Sequence, residues 1–459
     1  MKNKRPHPIT VWKYLSRFSF LLIFPLVQLL LREPLSVLTW SNLPWAVSVT
    51  VLSVMQYLAC SYSAEKSDFR QKSGIIWRKS RTIPNSSLNS CTIRVSPFTY
   101  LFGAAQLRLD TAAGNPREAD AAVFLWKKPL LAWWRSACPK SQWHYKAKAS
   151  RVFLMAASWS NPASGLFLLG LFFHRAASLL GDQLSEQLYS TVDQSARLVA
   201  LGLPPFVAGV GYLLLLGWLI AFLRQLSRYL GLKACNTDQG IAIFRGFPIR
   251  VRQLFSRRCV RAVSIRQTLL MKCLKIQSFY LHTLGSGKEK GDRRLLFAAA
   301  GGPELEERIR DFFPELPLQP SGQSVTPARH TWKNFLFAPL TAAGAIFALS
   351  FLLRFTGSRL SSLALILLLF PLWQGVIRLL AWKHTSLCKA DGYYIVSCYD
   401  GLSLSTAYIP EDSLQKAVFL QNPIQKKNHL CSLRLYVGSE TKRCFAIHHL
   451  DIRELRRFF

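Results

Sequence analysis

The 459-residue sequence predicts a membrane protein with six transmembrane α-helices in three pairs, each pair followed by a polar, mainly β domain that closes with a C-terminal helix. Half of the residues are hydrophobic, and the mean hydropathy is positive at +0.17. The apolar residues are concentrated in segments long enough to cross a bilayer. The polar blocks between these segments share residues at constant spacing, so the same unit recurs three times.

Six apolar segments have the length that a bilayer core of about 30 Å requires, which is roughly 20 residues. The first follows a short basic stretch without a small-residue cleavage site, so we interpret it as an uncleaved span. The predicted spans are Tyr14–Leu31, Leu43–Cys60, Ala163–Leu180, Leu198–Leu223, Phe335–Leu353 and Leu360–Trp382.

His174 and Arg175 lie inside the third and weakest of these segments. Ionisable side chains within a span are rare and often functional, so these two are candidate intramembrane polar residues in a pathway or an interhelical pair. The alternative is that the span ends early and Arg175 extends to the membrane interface. The sequence favours this alternative.

The charge balance is strongly positive, with 58 Lys and Arg against 24 Asp and Glu, a net charge of +34. Such a surplus requires an anionic neighbour. The apolar segments favour anionic phospholipid, and no DNA-binding pattern supports nucleic acid. The short loops within the helix pairs carry almost no net charge. The positive-inside rule therefore places the basic blocks, and both termini, in the cytoplasm.

An internal repeat relates the three polar blocks. Gly74 and Arg78 in the first block correspond to Gly246 and Arg250 in the second at a shift of 172 residues, and Pro84 corresponds to Pro410 in the third at a shift of 326. Alternating segments such as Gln106–Asp110, Ile241–Arg245 and Ser432–Val437 predict half-buried strands. The blocks close with predicted helices at Pro129–Ser136, Pro303–Phe313 and Asp451–Phe459. The predicted organisation is 1–60 for a tail and helices 1 and 2, 61–150 for domain 1, 151–223 for helices 3 and 4, 224–330 for domain 2, 331–382 for helices 5 and 6, and 383–459 for domain 3.

The repeated unit carries a recognisable sequence motif. In the second block the motif runs from Phe244–Gly246 through Val263–Leu270 to Tyr280–Thr283. In the third block it runs from Tyr408–Pro410 through Val418–Pro423. With the paired helices, it resembles the bacterial pleckstrin-homology (PH) membrane proteins of the YdbT type. The first block departs from the motif, because it has Val95 where the other two blocks have Gln267 and Gln421. The resemblance implies that each block is a PH-like β-sandwich or barrel. It also implies a role in defending the cell envelope against membrane-active peptides, and no catalytic residues.

A run of arginines in the second block is the candidate site for an anionic lipid or a protein partner. A domain tethered by two helices lies close to the cytoplasmic leaflet, where each cation contributes about 1 kcal/mol to binding. The alternative is that these are solvated residues that obey the positive-inside rule. The candidates are Arg245, Arg250, Arg252, Arg257, Arg258, Arg261 and Arg266.

We expect no enzymatic activity and no cofactor or metal site. Leu284–Lys288 resembles a phosphate-binding loop but lacks the first glycine and the final Ser or Thr, so it is interpreted as a hairpin loop. His448 and His449 are adjacent in a predicted strand, where neighbouring side chains point to opposite faces. A domain-edge role is therefore expected for this pair.

Two hypotheses about function follow. The preferred one is a non-enzymatic, multi-pass scaffold of the bacterial inner membrane, whose PH-like domains engage anionic phospholipids. A membrane-protein partner or a second copy of the chain would complete the assembly, without nucleic acid. The alternative is a transporter or lipid-handling protein whose pathway runs between the helix pairs and includes Arg175.

Overall fold

The computed structural model describes residues 4–22, 43–64, 68–75, 77–113, 119–137, 144–160, 205–285, 294–318, 322–353, 367–456 without 402, 441 and 443, and 458. The predicted span Ala163–Leu180, with His174 and Arg175, lies outside these residues. The chain forms two compact units. Unit 1 comprises Met1–His144, Lys233–Val260 and Thr283–Asp292, and unit 2 comprises Tyr145–Leu232, Arg261–His282 and Arg293–Phe459.

Two helices precede the first repeat and pack against each other: α1, Thr10–Phe18, and α2, Leu43–Leu58. The first repeat then contains β1 Ser61–Ala64, β2 Asp68–Ser73, β3 Lys79–Pro84, a 3-10 turn Asn85–Ser87, β4 Leu88–Val95, α3 Pro97–Leu101, β5 Ala104–Thr111, β6 Ala121–Trp126 and α4 Lys127–Ala137.

The second repeat follows β7 Tyr145–Lys146, α5 Ala149–Trp159 and α6 Pro205–Tyr229. It contains β8 Lys233–Thr237, β9 Gly240–Arg245, β10 Arg250–Phe255, a 3-10 turn Arg257–Cys259, β11 Val260–Thr268, α7 Leu269–Cys273, β12 Ile276–Thr283, β13 Arg294–Gly301 and α8 Gly302–Phe312.

The third repeat follows β14 Ser324–Val325, a 3-10 turn Arg329–Thr331, α9 Trp332–Leu353 and α10 Leu369–His384. It contains β15 Ser386–Ala390, β16 Tyr393–Asp400, β17 Ser403–Pro410, a 3-10 turn Glu411–Ser413, β18 Leu414–Leu420, α11 Pro423–Lys427, β19 Leu430–Val437, β20 Cys444–Asp451 and α12 Ile452–Leu455.

The predicted repeat is confirmed residue by residue. The 3-10 turns and the short helices α3, α7 and α11 recur at the shifts of 172 and 326 residues. The short helices begin after Ser96, Thr268 and Asn422. The side chains of Ser96 and Thr268 accept a bond from a first-turn N–H group, and the main-chain N–H of Asn422 donates to Oε1 of Gln425 at 3.0 Å. Ser, Thr and Asn favour this position because their side chains accept a bond from a free N–H group of the first turn.

The short helices also end alike, at a residue in the left-handed conformation. These residues are Gly103, Lys275 and His429, with φ of 69°, 54° and 55°. Because only glycine adopts this conformation without a steric cost, the second and third repeats maintain the turn at some expense of stability.

Three repeats build two β-sandwiches, one in each unit. In unit 1, the sheet β1-β2-β3 packs on a sheet in which β6-β5-β4 continues into β10-β9-β8. The join is antiparallel, with Val95 opposite Arg250 and Ser90 opposite Phe255. The core contains Phe69, Ile93 and Leu107 of the first repeat and Leu254 of the second.

In unit 2, the sheet β18-β19-β20 packs on a sheet in which β13-β12-β11 continues into β17-β16-β15-β14. The join pairs Val263 with Tyr408 and Thr268 with Ser403. The core includes Val396, Ile409 and Leu433.

The second repeat is thus divided, because β8–β10 belong to unit 1, whereas most of β11–β13 belongs to unit 2. Both joins cover strand edges that would otherwise expose unpaired N–H and C=O groups. The predicted boundaries of domain 2, 224–330, delimit a repeat of the sequence. That this segment folds as an independent domain stays a prediction.

Among the described residues, one helix, Arg329–Leu353, is long and apolar enough to cross a membrane. Only 11% of its apolar window is buried. The apolar part of α2, Val47–Leu58, is shorter and falls in the second predicted span. Six spans stay a prediction, since parts of the other predicted spans lie outside the described residues.

Candidate functional site

Two of the seven candidate arginines are buried. Arg245 and Arg266 are each 3% exposed. Nη2 of Arg245 donates to Oε1 of Gln253 at 3.3 Å, and Arg266 makes an ion pair with Asp400. These guanidinium groups are enclosed by the protein, so they do not belong to an exposed binding surface, contrary to the prediction from the sequence.

The exposed arginines form two separate groups in unit 1. Arg250 begins β10 opposite Val95, whereas Arg257 and Arg258 follow the other end of β10, where Phe255 lies opposite Ser90. A six-residue strand is about 20 Å long, so the two groups lie at opposite ends of the sheet. Nη2 of Arg257 donates to Oδ1 of Asn236 at 2.8 Å.

The remaining two candidates, Arg252 and Arg261, are half-buried. The Arg252 guanidinium lies 5.3 Å from the centre of the Phe244 ring. Burial, with smaller contributions from Arg135 and Arg250, lowers the pKa of Arg252. Arg261 belongs to unit 2.

The helices α1 and α2 join unit 1 at the end that contains Arg250. The ring of Trp12 in α1 lies 5.7 Å from that of Phe98 in α3, and α3 begins two residues after Val95. Leu58 of α2 lines a cavity of about 600 Å³ together with Arg78 and Lys79. We call this end of unit 1 the helix-side end. It consists of α3, the 74–79 and 246–250 connections, and the parts of α1 and α2 beside them.

Large apolar side chains are exposed at the helix-side end. Trp77 is 82% exposed, Leu101 81% and Phe247 57%. Around them lie further exposed apolar residues, namely Trp12, Phe98, Tyr100, Phe102, Trp126 and Ile249. Several of these rings touch each other, such as Phe98 and Phe102 at 5.0 Å.

Cations surround these apolar side chains. Arg78, Lys79 and Arg250 are exposed, and Nζ of Lys127 lies 3.2 Å from the centre of the Tyr100 ring. The aromatic residues of this surface were not among the residues predicted from the sequence. The sequence does indicate them, because the repeats align Phe98 with Leu270 and Phe102 with Leu274, so that large apolar residues recur at these positions.

The short helices of unit 2 also lie beside the longer helices. Helix α7 packs against α5. In α11, Nε2 of Gln425 lies 3.2 Å from Nδ1 of His449, whose ring lies 4.9 Å from that of Phe335 in α9. In the first two repeats, the short helix therefore neighbours the first helix of the preceding pair, whereas in the third repeat His449 of β20 lies between α11 and α9.

The side chains of His448 and His449 are engaged in packing and hydrogen bonding within the third repeat. Nδ1 of His448 lies 3.3 Å from Oγ of Ser432. Burial lowers the pKa of both histidines, that of His449 to about 4, with further contributions from His448 and Arg378. The described residues contain no group of three or more His, Cys, Asp or Glu side chains arranged to hold a metal ion.

A cavity of about 570 Å³ opens at the other end of unit 1. Its walls are mainly apolar and come from both sheets and α4; they include Phe69, Leu107 and Trp133. Asp68 and Asn89 add polar groups to the lining. The cavity is large enough for part of an apolar chain.

Comparison with known proteins supports the interpretation of the first repeat. Residues 19–152 match the family model of the bacterial PH domain. That region is similar to a bacterial PH domain. The match indicates lipid or protein binding, and it covers less than half of the chain. No curated protein and no solved structure matches the chain. The closer resemblance to the YdbT type stays a prediction.

Proposed function

We propose that this chain is a non-enzymatic, multi-pass protein of the bacterial inner membrane, with six spans and both termini in the cytoplasm. Its PH-like sandwiches lie at the inner leaflet and bind the headgroups of anionic phospholipids. The observation that carries the proposal is the position of exposed Arg78 and Arg250 at the helix-side end of the PH-like sandwich.

The exposed surfaces of the longer helices support a membrane location. In α9, Phe337, Leu340 and Phe347 are each more than 60% exposed, as are Leu369 and Phe370 in α10. Soluble monomers rarely expose contiguous apolar patches of this kind, which mark contacts with lipid or protein. The net charge of +34 complements an anionic leaflet.

Matched double variants test headgroup binding in the full-length protein. Arg78→Glu/Arg250→Glu reverses two charges at the helix-side end, and Arg257→Glu/Arg258→Glu reverses two at the opposite end. Because each cation near the surface contributes about 1 kcal/mol, the first variant should weaken binding by at least about 2 kcal/mol, roughly thirtyfold.

The measurement is native mass spectrometry of the detergent-solubilised protein, titrated with phosphatidylglycerol and, separately, with phosphatidylcholine. We expect the helix-side variant to lose its preference for phosphatidylglycerol while the opposite-end variant keeps it. Equal preference in the wild type and both variants would refute headgroup binding at this end.

A scaffold role in envelope protection extends this proposal and is supported by the family resemblance. The partner would be another membrane protein or a second copy of the chain. Crosslinking in native membranes should yield a stoichiometric complex, and loss of the protein should increase sensitivity to membrane-active peptides. Recovery of the monomer alone, together with unchanged sensitivity, would contradict this extension.

Lipid handling is a second candidate, supported by the 570 Å³ cavity. An acyl chain held there would be displaced by a larger side chain on its wall, as in Leu107→Trp. Lipid that copurifies with the wild type but not with this variant would support lipid handling. Equal lipid in both would contradict it. The intramembrane pathway predicted around Arg175 lies outside the described residues.

A further inference from the structure

The short helices of the first two repeats present apolar side chains to solvent at equivalent positions. Phe98 in α3 and Leu270 in α7 are 44% and 49% exposed, and Phe102 and Leu274, which follow those helices, are 56% and 47% exposed. A five-residue helix needs no such side chains for its own stability. Their exposure in two repeats indicates a shared contact.

Exposed lysines lie in or beside the short helices of unit 2. Lys272 and Lys275 are exposed beside α7, and Lys426 and Lys427 are exposed in α11. Exposed apolar and aromatic side chains mixed with lysine are the composition of segments that lie in a membrane interface. Trp and Tyr favour that layer because their rings are apolar and their polar groups remain hydrated.

Two hairpin connections add to this surface in unit 1. Trp77 is followed by the exposed pair Arg78 and Lys79, and Ile249 is followed by Arg250. Both connections belong to the helix-side end, where the longer helices enter the sandwich. An apolar side chain next to a cation suits a lipid surface, because the first enters the acyl boundary while the second remains among the phosphates.

We propose that the helix-side end of unit 1, and the helix α7 of unit 2, insert apolar side chains into the headgroup layer of the bilayer that the longer helices cross. This inference rests on the proposed membrane location and identifies the contact surface. The occupant is an anionic bilayer, because lysine and arginine lie beside the apolar side chains and the short helices α3 and α7 adjoin α1 and α5.

Spin labels at equivalent positions test the insertion. Cys273 is exposed in α7 and corresponds to Leu101 in α3, so the native thiol labels one short helix and Leu101→Cys labels another. The label at position 101 is introduced with Cys138, Cys273 and Cys444 replaced by serine. Arg258→Cys, in the same background, is the control at the opposite end of unit 1.

The full-length proteins are placed in vesicles of phosphatidylglycerol and phosphatidylcholine, and collisions with oxygen and with a water-soluble nickel chelate are measured. We expect a several-fold higher ratio of oxygen to nickel collisions at positions 101 and 273 than at 258. Equal ratios at all three positions would overturn the insertion.

The two experiments distinguish a failure of the insertion proposal from a failure of the headgroup-binding proposal. If the labels at 101 and 273 report an aqueous environment while Arg78→Glu/Arg250→Glu still weakens phosphatidylglycerol binding, insertion is wrong and headgroup binding stands. If the labels report lipid while charge reversal has no effect, insertion stands and headgroup binding by these arginines is wrong.

Discussion

Arg266 of the second repeat and Asp400 of the third form an ion pair, with Nη1 of the arginine 3.1 Å from Oδ2 of the aspartate. Nζ of Lys442 reaches the same oxygen at 3.1 Å. The Arg266 side chain is only 4% exposed. Since β11 also pairs with β17, the two repeats are joined by main-chain bonds and by a largely enclosed ion pair.

Asp400→Asn should destabilise unit 2. The substitution leaves the buried Arg266 without its counter-ion, and breaking a buried pair costs about 3–5 kcal/mol. Asp400 is 35% exposed, so water reduces the loss and we expect about 3 kcal/mol. Chemical denaturation of the full-length protein in detergent measures it. Asp412→Asn, at an exposed position, is the control, and equal midpoints for the two variants would contradict the prediction.

The residues in the left-handed conformation at the ends of the short helices predict opposite effects of substitution on stability in the first and second repeats. A Cβ at Gly103 would contact nothing within 4 Å, so Gly103→Ala tests only the backbone conformation. The variant should lose about 1 kcal/mol of stability. Lys275→Gly should be neutral or gain a few tenths of a kcal/mol, because it removes the same strain. Thermal unfolding of both variants checks the pair, and a loss in Lys275→Gly with none in Gly103→Ala would refute it.

Stability should fall between about pH 6.5 and pH 4 through His449. Its folded-state pKa is about 4, below the ordinary value of 6.5. In that window the unfolded chain therefore binds a proton that the folded chain does not, and the free energy of unfolding decreases as the pH falls. His448 contributes in the same direction. His449→Asn should flatten the dependence of the unfolding midpoint on pH, and an unchanged slope would contradict this assignment.

Helices α5 and α8 of unit 2 are joined by a bidentate pair. Arg151 contacts Glu304 at 2.7 Å and 2.6 Å, and this hydrogen bonding lowers the pKa of the Glu304 carboxyl. Because the folded-state pKa is lowered, the contribution is present above about pH 4.5 and is lost as the pH falls through the folded-state value. Both side chains are partly exposed, so Glu304→Gln should cost at most about 1 kcal/mol at neutral pH. Denaturation at pH 7 and pH 3 would show the loss only at pH 7.

Much of the fold could be predicted because the repeat preserves local chemistry. Capping positions and alternating strands recur at fixed shifts, each repeat closes with a helix, and α4 and α8 lie within two residues of their predicted bounds. The third closing helix is shorter, Ile452–Leu455. The shared Gln267 and Gln421 donate to the carbonyls of Ile276 and Leu430 at 3.0 Å and 2.8 Å. Val95 has no side-chain donor, so the first repeat lacks this bond.

The pairing between repeats could not be predicted, because no local pattern states which strand edge meets which. That pairing decides the position of the arginines. The register of β10 on β4 places Arg250 and Arg257 at opposite ends, and the β11–β17 join encloses Arg266. The sequence therefore identified the charge of the candidate surface but not its location, and missed its aromatic residues.

The most direct test of a cytoplasmic, membrane-embedded architecture is labelling of Lys416→Cys, an exposed position in the third repeat, with a membrane-impermeant maleimide. Cys138, Cys273 and Cys444 are replaced by serine, so that labelling reports on position 416. We expect no labelling in intact spheroplasts and full labelling in inverted membrane vesicles. Labelling in intact spheroplasts would contradict the proposed orientation and place the PH-like sandwiches outside the cytoplasm.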